Sequence, residues 1–528
     1  MTNSINRGIR LAVTVCGVAL LVRTISGQPQ GMELASTPNF NSPAQAQRRI
    51  VVISDLHFGL GCDSEGRCAP TEDFRWTGAL KGFLDEVSRR GEDKTDLVIA
   101  GDFLELWKPP PTIKCMGASN DLGCTIQEME QIVSIVISAH TGDFANLRGF
   151  SQRGDNRLYI VPGNHDAALL IPSVWSLVAK TLQSGSGRVE IVSSGVWNSG
   201  DKRILIEHGH QIGSDVNRYK DWPTILANDA KGRTFLIRPW GEQFVQRLVN
   251  QEEAIYPIID NFSPWTAGLK HFFEDHGIGE WIGDIARFTR FYLFENSFSQ
   301  ETQSLGPEGK RNWDPKAARA LGYKLFTGAL DKSDKLRQLL VAQTRWAKQV
   351  QGELDQMAQS LPASDINLLC EKLAELHASP ACDEAQAGAL LGSFIPKRHV
   401  MQEHLETRMR QFPDTKVFIY GHTHKVERAW SVTVFENKEV RVLNSGAFQR
   451  LIEDDDYLDL VKKLGVSPGE GLRKIRLEQL APCYSAVEVV YGSSGPQPHT
   501  LIWRMTEKDG PGELNPKPAD CRPSLEDR

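Results

Sequence analysis

The chain has 528 residues, of which 40% are hydrophobic and 24% are charged, as in an ordinary soluble globular protein. This composition excludes a chain that is disordered throughout and a protein with many membrane spans. The 60 Lys and Arg residues against 66 Asp and Glu give a net charge of −6, which disfavours a dedicated nucleic-acid binder. A sizeable enzyme or a binding protein remains.

The first 27 residues have the layout of an export signal. Arg7 and Arg10 precede the uncharged apolar run Leu11–Val22, and the small residues Ser26 and Gly27 follow it. Because this run is too short to cross a bilayer as a helix, a permanent anchor is disfavoured. We therefore expect a signal peptide at 1–27 and an exported protein, periplasmic or extracellular. An ordinary buried N-terminal helix is the alternative.

Cysteine usage supports export independently. Eight cysteines remain once Cys16 is removed with the signal, and an even number suits an oxidising compartment. No pair has the spacing of a structural zinc site. Spacing alone does not determine the connectivity, so pairing of nearest neighbours is a working hypothesis. It joins Cys62 with Cys68, Cys115 with Cys124 and Cys370 with Cys382, and it leaves Cys483 and Cys521 over.

The chain changes character after residue 49. Residues 28–49 are rich in Gln, Pro, Ser and Asn, which predicts a flexible tether. From residue 50 onwards, short apolar runs predict buried strands with helices between several of them, as in an α/β domain. The predicted strands are Ile50–Ser54, Leu97–Ala100, Leu158–Val161, Arg203–Glu207, Lys416–Tyr420, Val440–Leu443, Ala486–Tyr491 and Thr500–Met505. Predicted helices include Phe74–Arg90 and Ile126–Ser138.

Residues 212–413 have repeated apolar spacing and few strand signals, which predicts a mainly helical insertion. It would separate two parts of the α/β domain, 50–211 and 414–506, and a tail would follow at 507–528. We expect the insertion to cap the active site. Its aromatic stretch Phe272–Phe294 would line a pocket for an apolar substrate group, contact a membrane surface, or form the core of the insertion. One predicted helix carries Trp281, Ile285, Phe288 and Tyr292 on a single face. Two more are predicted at Gln338–Leu361 and Ser364–Leu376.

Five short motifs place Asp, Asn or His at or near the ends of predicted strands. Six of the 13 His residues lie in these motifs, which is far from a random distribution. In an extended chain, residues two apart point the same way, so the side chains of the first motif can reach one ion. The motifs are VVISDLHFG with Asp55 and His57, LVIAGDFLELW with Asp102, LYIVPGNHDAAL with Asn164, His165 and Asp166, ILIEHGHQIG with His208 and His210, and VFIYGHTHKV with His422 and His424.

The residue types indicate the chemistry. Carboxylate, imidazole and amide groups without any thiolate suit divalent ions such as Mn, Fe, Zn or Co. The motifs offer more ligands than one ion needs, and two ions bridged by one carboxylate would use them all. Paired ions about 3.5–4 Å apart can hold a hydroxide and polarise a phosphoryl oxygen. The sequence therefore predicts hydrolysis of a phosphate ester.

The ordered set D-x-H, G-D, G-N-H-D, H-G-H and G-H-x-H resembles the calcineurin-like metallophosphoesterases, over about Ile50 to Arg450. The resemblance implies a four-layer α/β/β/α sandwich, two β-sheets flanked by helices. It also implies a dinuclear-metal phosphoesterase that cleaves phosphate monoesters or diesters by attack of a metal-bound hydroxide. By the same resemblance, one metal takes Asp55, His57, Asp102 and His424, and the other takes Asp102, Asn164, His208 and His422.

The resemblance leaves His165 without a metal. In the family this histidine lies near the scissile phosphate, where it stabilises the developing charge or protonates the leaving oxygen. Asp166 would orient His165 or cap its loop. His210 would lie near the second metal through its backbone or cap the turn.

GDFLELW and VLNSGAF are similar to segments of the UDP-2,3-diacylglucosamine pyrophosphatase-like branch, which makes Glu105 and Trp107 secondary site candidates beside a structural role. That branch usually carries Arg at the position of His165, and it is cytoplasmic. The expected substrate is a phosphorylated small molecule or a lipid-linked one, with peripheral membrane contact as a further expectation. Alternatives are a pyrophosphatase or phosphodiesterase acting on nucleotide- or lipid-linked substrates, and a non-catalytic binding scaffold on the same fold. The chain has no basic run of five or more residues, so a nuclease is disfavoured.

Overall fold

The structure, a computed structural model, describes residues 48–272 and 397–525, apart from 116, 118–120, 213–216, 240, 243–244, 247–249, 264–267, 269–270 and 507–511. The strands are β1 (Arg49–Ile53), β2 (Thr95–Ala100), β3 (Arg157–Val161), β4 (Val189–Ile191), β5 (Val196–Asn198), β6 (Ile204–Glu207), β7 (Leu226–Asn228), β8 (Thr234–Leu236), β9 (Val417–Tyr420), β10 (Val426–Thr433), β11 (Glu439–Ser445), β12 (Cys483–Gly492), β13 (Gly495–Met505) and β14 (Gly512–Leu514). The longer helices are α1 (Thr77–Arg90), α2 (Ile126–Ala139), α3 (Thr141–Gln152), α4 (Pro172–Leu182), α5 (Lys397–Met409), α6 (Asp454–Leu464) and α7 (Pro468–Lys474). Short helical turns cover Ala167–Leu170, Ser184–Ser186, Asn250–Glu252, Phe435–Asn437, Leu477–Gln479 and Pro518–Cys521.

Two β-sheets form the centre of the fold. The first has seven strands in the order β14-β13-β12-β1-β2-β3-β4, and the second has five in the order β10-β11-β9-β6-β5. Strands β1 to β4 run parallel, and so do β6, β9 and β11. Because parallel strands end on the same side of a sheet, the loops that follow them are brought together there.

The two sheets pack face to face. Along β1, Ile50 and Val52 join Ile419 and Leu443 of the second sheet in one buried cluster. Val51 points the other way and packs in the cluster beneath the helices. This alternation follows from the two-residue period of a strand, and burial on both faces explains why the strand reads as a continuous apolar run.

Helices cover the outer faces of both sheets. Residues of α1 to α4, α6 and α7 pack on the outer face of the first sheet. On the outer face of the second sheet, Met401 and Leu405 of α5 pack with Phe418. The layers are therefore helix, sheet, sheet and helix, which confirms the four-layer sandwich.

The predicted elements that fall within the described residues correspond to observed ones. Every predicted strand overlaps an observed strand, and the helices predicted at 74–90 and 126–138 are α1 and α2. Helix α2 begins at the expected residue because Thr125 and Glu128 form a capping box there. Strand β10 was missed because most of its residues are exposed or half-buried, so it lacks an apolar run.

The range predicted as a helical insertion is described only near its two ends. The first end contains a hairpin of β7 and β8, which the apolar spacing did not predict. Next to this hairpin, Ile237 forms an antiparallel bridge with Leu122. At the other end, α5 belongs to the layers of the sandwich. The helix candidates at 281–292, 338–361 and 364–376, the signal peptide at 1–27 and the tether up to residue 47 lie outside the described residues. No helix of the described part is long and apolar enough to cross a membrane.

Three disulfide bonds link described cysteines. Cys62 pairs with Cys68 and Cys115 pairs with Cys124, as predicted from their proximity. The two cysteines that were left over, Cys483 and Cys521, pair with each other. Cys370 and Cys382 lie outside the described residues. Disulfide bonds persist in oxidising compartments, so these pairs are consistent with export.

Buried His140 lies at the junction of α2 and α3. Its Nδ1 lies 3.0 Å from Asp143 Oδ2, its Nε2 lies 3.4 Å from Glu72 Oε2, and its ring stacks on Phe58. Burial disfavours the charged imidazole, but the two carboxylates outweigh burial and raise the pKa of His140 to about 9. The charged form therefore contributes to stability.

We expect the substitution His140→Gln to destabilise the protein most below about pH 6.5, the ordinary pKa of His. Because the folded-state pKa is the higher one, the protonated ring stabilises the fold there, and the contribution disappears as the pH rises through about 9. Each unit of pKa difference corresponds to about 1.4 kcal/mol. Urea unfolding of both proteins from about pH 6 to 10 measures the effect. If the difference in free energy of unfolding between the two proteins does not change with pH, His140 is not held in its charged form.

Candidate metal centre

The motif residues gather where the carboxyl ends of β1, β2, β3, β6 and β9 meet. Each motif follows one of these strands directly, so the loops of both sheets contribute. The chain segments between the strands place residues far apart in sequence at one edge of the sandwich. The structure brings together all seven predicted ligands: Asp55, His57, Asp102, Asn164, His208, His422 and His424.

Five of the seven have a left-handed backbone. Their φ angles are 54° at Asp55, 50° at His57, 49° at Asp102, 70° at His422 and 55° at His424. This region is unfavourable for residues with a side chain, although Asp and His tolerate it better than most. Because neither residue of the first motif is extended, strand alternation does not explain how their side chains converge. The turns that follow the strands do.

The first ligand group contains Asp55, His57 and His424, whose ligand atoms all lie within 4.8 Å of one another. His424 Nε2 is 3.3 Å and His57 Nε2 is 4.0 Å from Asp55 Oδ1. Asp55 Oδ1 and His57 Nε2 are buried without a hydrogen-bond partner among the described residues. Buried polar atoms left unpaired in this way are unfavourable, and a cation between them would satisfy both.

The second group contains Asp102, His208 and His422. His208 Nε2 lies 3.0 Å from Asp102 Oδ2, 3.0 Å from Asn164 Oδ1 and 3.2 Å from His422 Nδ1. On its other side, His208 Nδ1 donates to the carbonyl oxygen of Ala100 at 2.9 Å. In the neutral ring this bond fixes the tautomer whose Nε2 lone pair faces the group, as in metal-binding histidines.

Asp102 lies between the two groups. Its Oδ2 is 3.0 Å from His208 Nε2 and 3.8 Å from His57 Nε2, so one oxygen faces both groups. Its Oδ1 accepts from the backbone N–H of His165 at 2.9 Å. Gly101, with φ 89°, permits this approach, because a Cβ there would lie 2.3 Å from the His208 ring.

The carboxylates give the centre a negative potential. Burial opposes ionisation of Asp102, but His208 and His165 outweigh burial and lower the pKa of Asp102 well below its usual value. Burial also opposes protonation of His208, yet Asp102 and Asp55 raise the pKa of His208 to about 10. A centre that attracts positive charge this strongly, with oxygen and imidazole donors, fits divalent cations that displace the protons.

His165 lies beside the first group. Its Nδ1 is 2.9 Å from both carboxylate oxygens of Glu105, whose Oε2 is also 2.9 Å from His57 Nδ1. Burial disfavours a charged Glu105, but His165 and His57 lower the pKa of Glu105 well below its usual value. The ring of His165 also stacks on Trp107. Glu105 and Trp107, secondary candidates from the sequence, thus contact the predicted catalytic imidazole directly.

Asp166 has the loop-capping role rather than the orienting one. Its Oδ2 accepts from the N–H groups of Phe103 and Leu104 at 2.7 and 3.3 Å, and its Oδ1 accepts from that of Gly163 at 2.6 Å. These bonds join the two motif loops that carry Asp102 and His165. Glu105, not Asp166, occupies the orienting position, because its longer side chain reaches Nδ1 of His165.

Other residues around the second group include His210 of the fourth motif and two that the motifs did not indicate. Buried His210 has its ring 5.5 Å from that of His208, and it belongs to none of the possible ligand groups among the described residues. In the loop that follows, Tyr219 donates to the carbonyl oxygen of Asn164 at 3.3 Å, and Asn217 lies 3.5 Å from His422 Nε2. That loop has no motif, so its sequence carried no signal.

Comparison with known families agrees with this geometry. Residues 48–289 match the family model described as calcineurin-like phosphoesterase. This range contains five of the seven predicted ligands, and His422 and His424 lie beyond it. Comparison with curated proteins gives no match. The motif order and the four-layer sandwich agree with this match to the calcineurin-like phosphoesterase family, which covers residues 48–289.

Proposed function

We propose that this protein is an exported, metal-dependent phosphoesterase that holds two divalent ions and hydrolyses phosphate monoesters or diesters. The observation that carries the proposal is the position of Asp102, whose Oδ2 faces His208 of one ligand group and His57 of the other. Two complete ligand groups sharing one carboxylate are what a pair of ions requires. The donor types favour Mn, Fe, Zn or Co.

The residues divide between two ions. Asp55, His57 and His424 would hold one, Asn164, His208 and His422 would hold the other, and Asp102 would serve both. When bound, the ions would supply an activated water and neutralise the charge of the phosphoryl group.

His165 would protonate the leaving oxygen. The ionised Glu105 accepts from Nδ1–H, so Nε2 is the nitrogen that faces the substrate, and the doubly protonated ring would carry on Nε2 the proton that the leaving oxygen receives. The His165 side chain is 14% exposed, compared with 6% for His57, so it keeps some access to bound substrate. A positioned imidazole of this kind contributes about 10²–10⁴-fold to a proton-transfer step.

The substrate class we propose is a phosphorylated small molecule or a lipid-linked phosphate. The net charge of −6 argues against nucleic acid, and the three disulfide bonds support a location outside the cytoplasm. Peripheral membrane contact through the aromatic stretch at 272–294 is a further proposal, which rests on the sequence alone.

A substrate panel tests the function. Phosphomonoesters, phosphodiesters, nucleotides, nucleotide pyrophosphates and phospholipids are assayed with Mn, Zn and Fe, with a chelator as the control. We expect hydrolysis of at least one ester class that a chelator abolishes. Preference for a pyrophosphate would favour the pyrophosphatase alternative. Fewer than one ion per purified chain and no activation by added Mn would instead indicate a binding scaffold.

We expect Glu105→Gln to lower kcat about 10–100-fold, the usual effect of losing a carboxylate that orients an imidazole ligand or acid. The amide cannot hold His57 and His165 with the same charge, although it keeps the shape of the side chain. The exposed Glu65, which pairs with Arg67, provides the matched control Glu65→Gln. Steady-state kinetics and the metal content of both variants measure the effect, and an unchanged kcat would show that Glu105 has only a packing role.

A further inference from the structure

We propose that Trp107 is a positioning residue for His165, which holds the imidazole in the orientation that presents Nε2 to the substrate. The proposal rests on the proposed function, because it assigns a role within that reaction. Trp107 is not among the predicted ligands, and its side chain, only 3% exposed, is too buried to bind substrate itself.

The proposal begins with the contact between the two rings. The Trp107 and His165 rings stack with their centroids 3.9 Å apart and an angle of 26° between their planes. Glu105 holds the edge of the same imidazole through Nδ1. A hydrogen bond at one edge fixes a distance but leaves the ring free to tilt, whereas a contact across the face removes that tilt. Together the two contacts define the direction of Nε2.

The backbone of Trp107 is itself held at its N–H and at its carbonyl group. Its backbone N–H donates to Glu105 Oε1 at 2.9 Å, and its carbonyl oxygen accepts from Asn250 Nδ2 at 3.4 Å. The next residue, Lys108, is buried among the carboxylates of Asp73, Glu253 and Asp260 at 2.8–3.1 Å. Because these contacts fix the backbone, the indole is a rigid surface rather than an adaptable one.

Asn250, Glu253 and Asp260 are described residues of the range predicted as an insertion. The segment that carries them therefore contacts the backbone behind the indole. Residues 250–260 would therefore help to position His165 through Trp107, although none of them is among the candidate metal ligands.

The role of His165 determines the readout. Protonation of the leaving oxygen matters most when that oxygen is strongly basic, as in an alkyl ester, and least for p-nitrophenolate. Misplacing His165 should therefore slow an alkyl ester more than a p-nitrophenyl ester of the same phosphate type. Loss of correctly folded protein would slow both by the same factor.

The experiment compares the metal-loaded wild type with Trp107→Phe, Trp107→Leu, His165→Ala and the double variant Trp107→Leu/His165→Ala. We expect Trp107→Leu to lower kcat for the alkyl ester about 10–100-fold, the scale of a small misplacement, and for the p-nitrophenyl ester by no more than about threefold. Trp107→Phe, which keeps a ring face, should be intermediate. In the His165→Ala background, Trp107→Leu should have no further effect, since the group that it positions is absent.

Trp197, buried between the two sheets, provides the matched control Trp197→Leu. We expect it to lower stability without changing the ratio of the two kcat values. If Trp107→Leu fails to fold, Trp107→Phe replaces it. The ratio of the two kcat values is then measured for Trp107→Phe, and its effect is compared with and without His165→Ala.

Two results would overturn the assignment of Trp107. The first is that the Trp107 variants slow both esters by the same factor. The second is that the fold-decrease in kcat of the double variant equals the product of the two single decreases. In either case hydrolysis that depends on Asp102 would leave the proposed function standing. If the wild type hydrolyses no monoester or diester of the substrate panel with Mn, Zn or Fe, both proposals are wrong.

Discussion

The substitution Asp102→Asn is expected to lower kcat/KM for the preferred phosphate ester by about 10³-fold or more, a loss of several kcal/mol of transition-state stabilisation. Asp102 Oδ2 lies 3.0 Å from His208 Nε2 and 3.8 Å from His57 Nε2, so no other described residue is placed to serve both ligand groups. An amide is neutral and offers one oxygen, so both groups lose a charged ligand at once.

The control for this prediction is Asp85→Asn, since Asp85 is a half-exposed carboxylate on α1 that pairs with Lys81. Kinetics and the number of ions bound per chain are measured for both variants. We expect Asp102→Asn to lose bound metal as well as activity, and Asp85→Asn to lose neither. Undiminished hydrolysis by Asp102→Asn would refute the dinuclear mechanism, whatever its metal content.

The second large effect is on stability. We expect Lys108→Met to lower the free energy of unfolding by about 3–5 kcal/mol, the range for removing one partner of a buried ion pair. The Lys108 ammonium lies 3.1 Å from Asp73, 3.0 Å from Glu253 and 2.8 Å from Asp260, and its side chain is only 4% exposed. Methionine has a similar volume, so the loss would come from the uncompensated carboxylates rather than from a cavity.

Lys81→Met is the matched control, because Lys81 pairs with Asp85 at 2.7 Å but is 63% exposed. An exposed helical pair of this kind contributes only about 0.3–0.5 kcal/mol. Chemical denaturation at neutral and acidic pH measures both variants. Burial and the neighbouring Asp260 raise the pKa of Asp73 to about 6, so the deficit of Lys108→Met should shrink at acidic pH as carboxylates are protonated. Equal deficits for the two lysines would contradict this account.

The sequence predicted the strands and the positions of the candidate ligands because the same local signal marks both. A run of apolar residues buried on both faces ends abruptly at an Asp, Asn or His, as at Asp102 after β2 and Asn164 after β3. Parallel strands then bring these ends to one edge without further information. Local pattern and topology were sufficient for this part of the centre.

The contacts around His165 could not be predicted in the same way. Whether Glu105 or Asp166 holds His165 depends on the loop after β2, whose backbone includes the left-handed residue Asp102. Lys108 pairs with residues up to 152 positions away from it, and no periodicity relates them. Likewise, the disulfide bond between Cys483 and Cys521 depends on where the tail returns in space.

The left-handed backbone at the metal centre also bears on how such a protein can evolve. At each of the five positions glycine would adopt the observed φ without the penalty of roughly 1–2 kcal/mol that a side chain incurs, reduced for Asp and His. Glycine has no side-chain ligand atom, however, so each substitution that relieves the backbone would remove one metal donor. A population of variants selected only for thermal stability should therefore drift toward glycine at these positions and lose the donors of the candidate metal centre. The residues persist only where selection acts on the chemistry as well as on the fold.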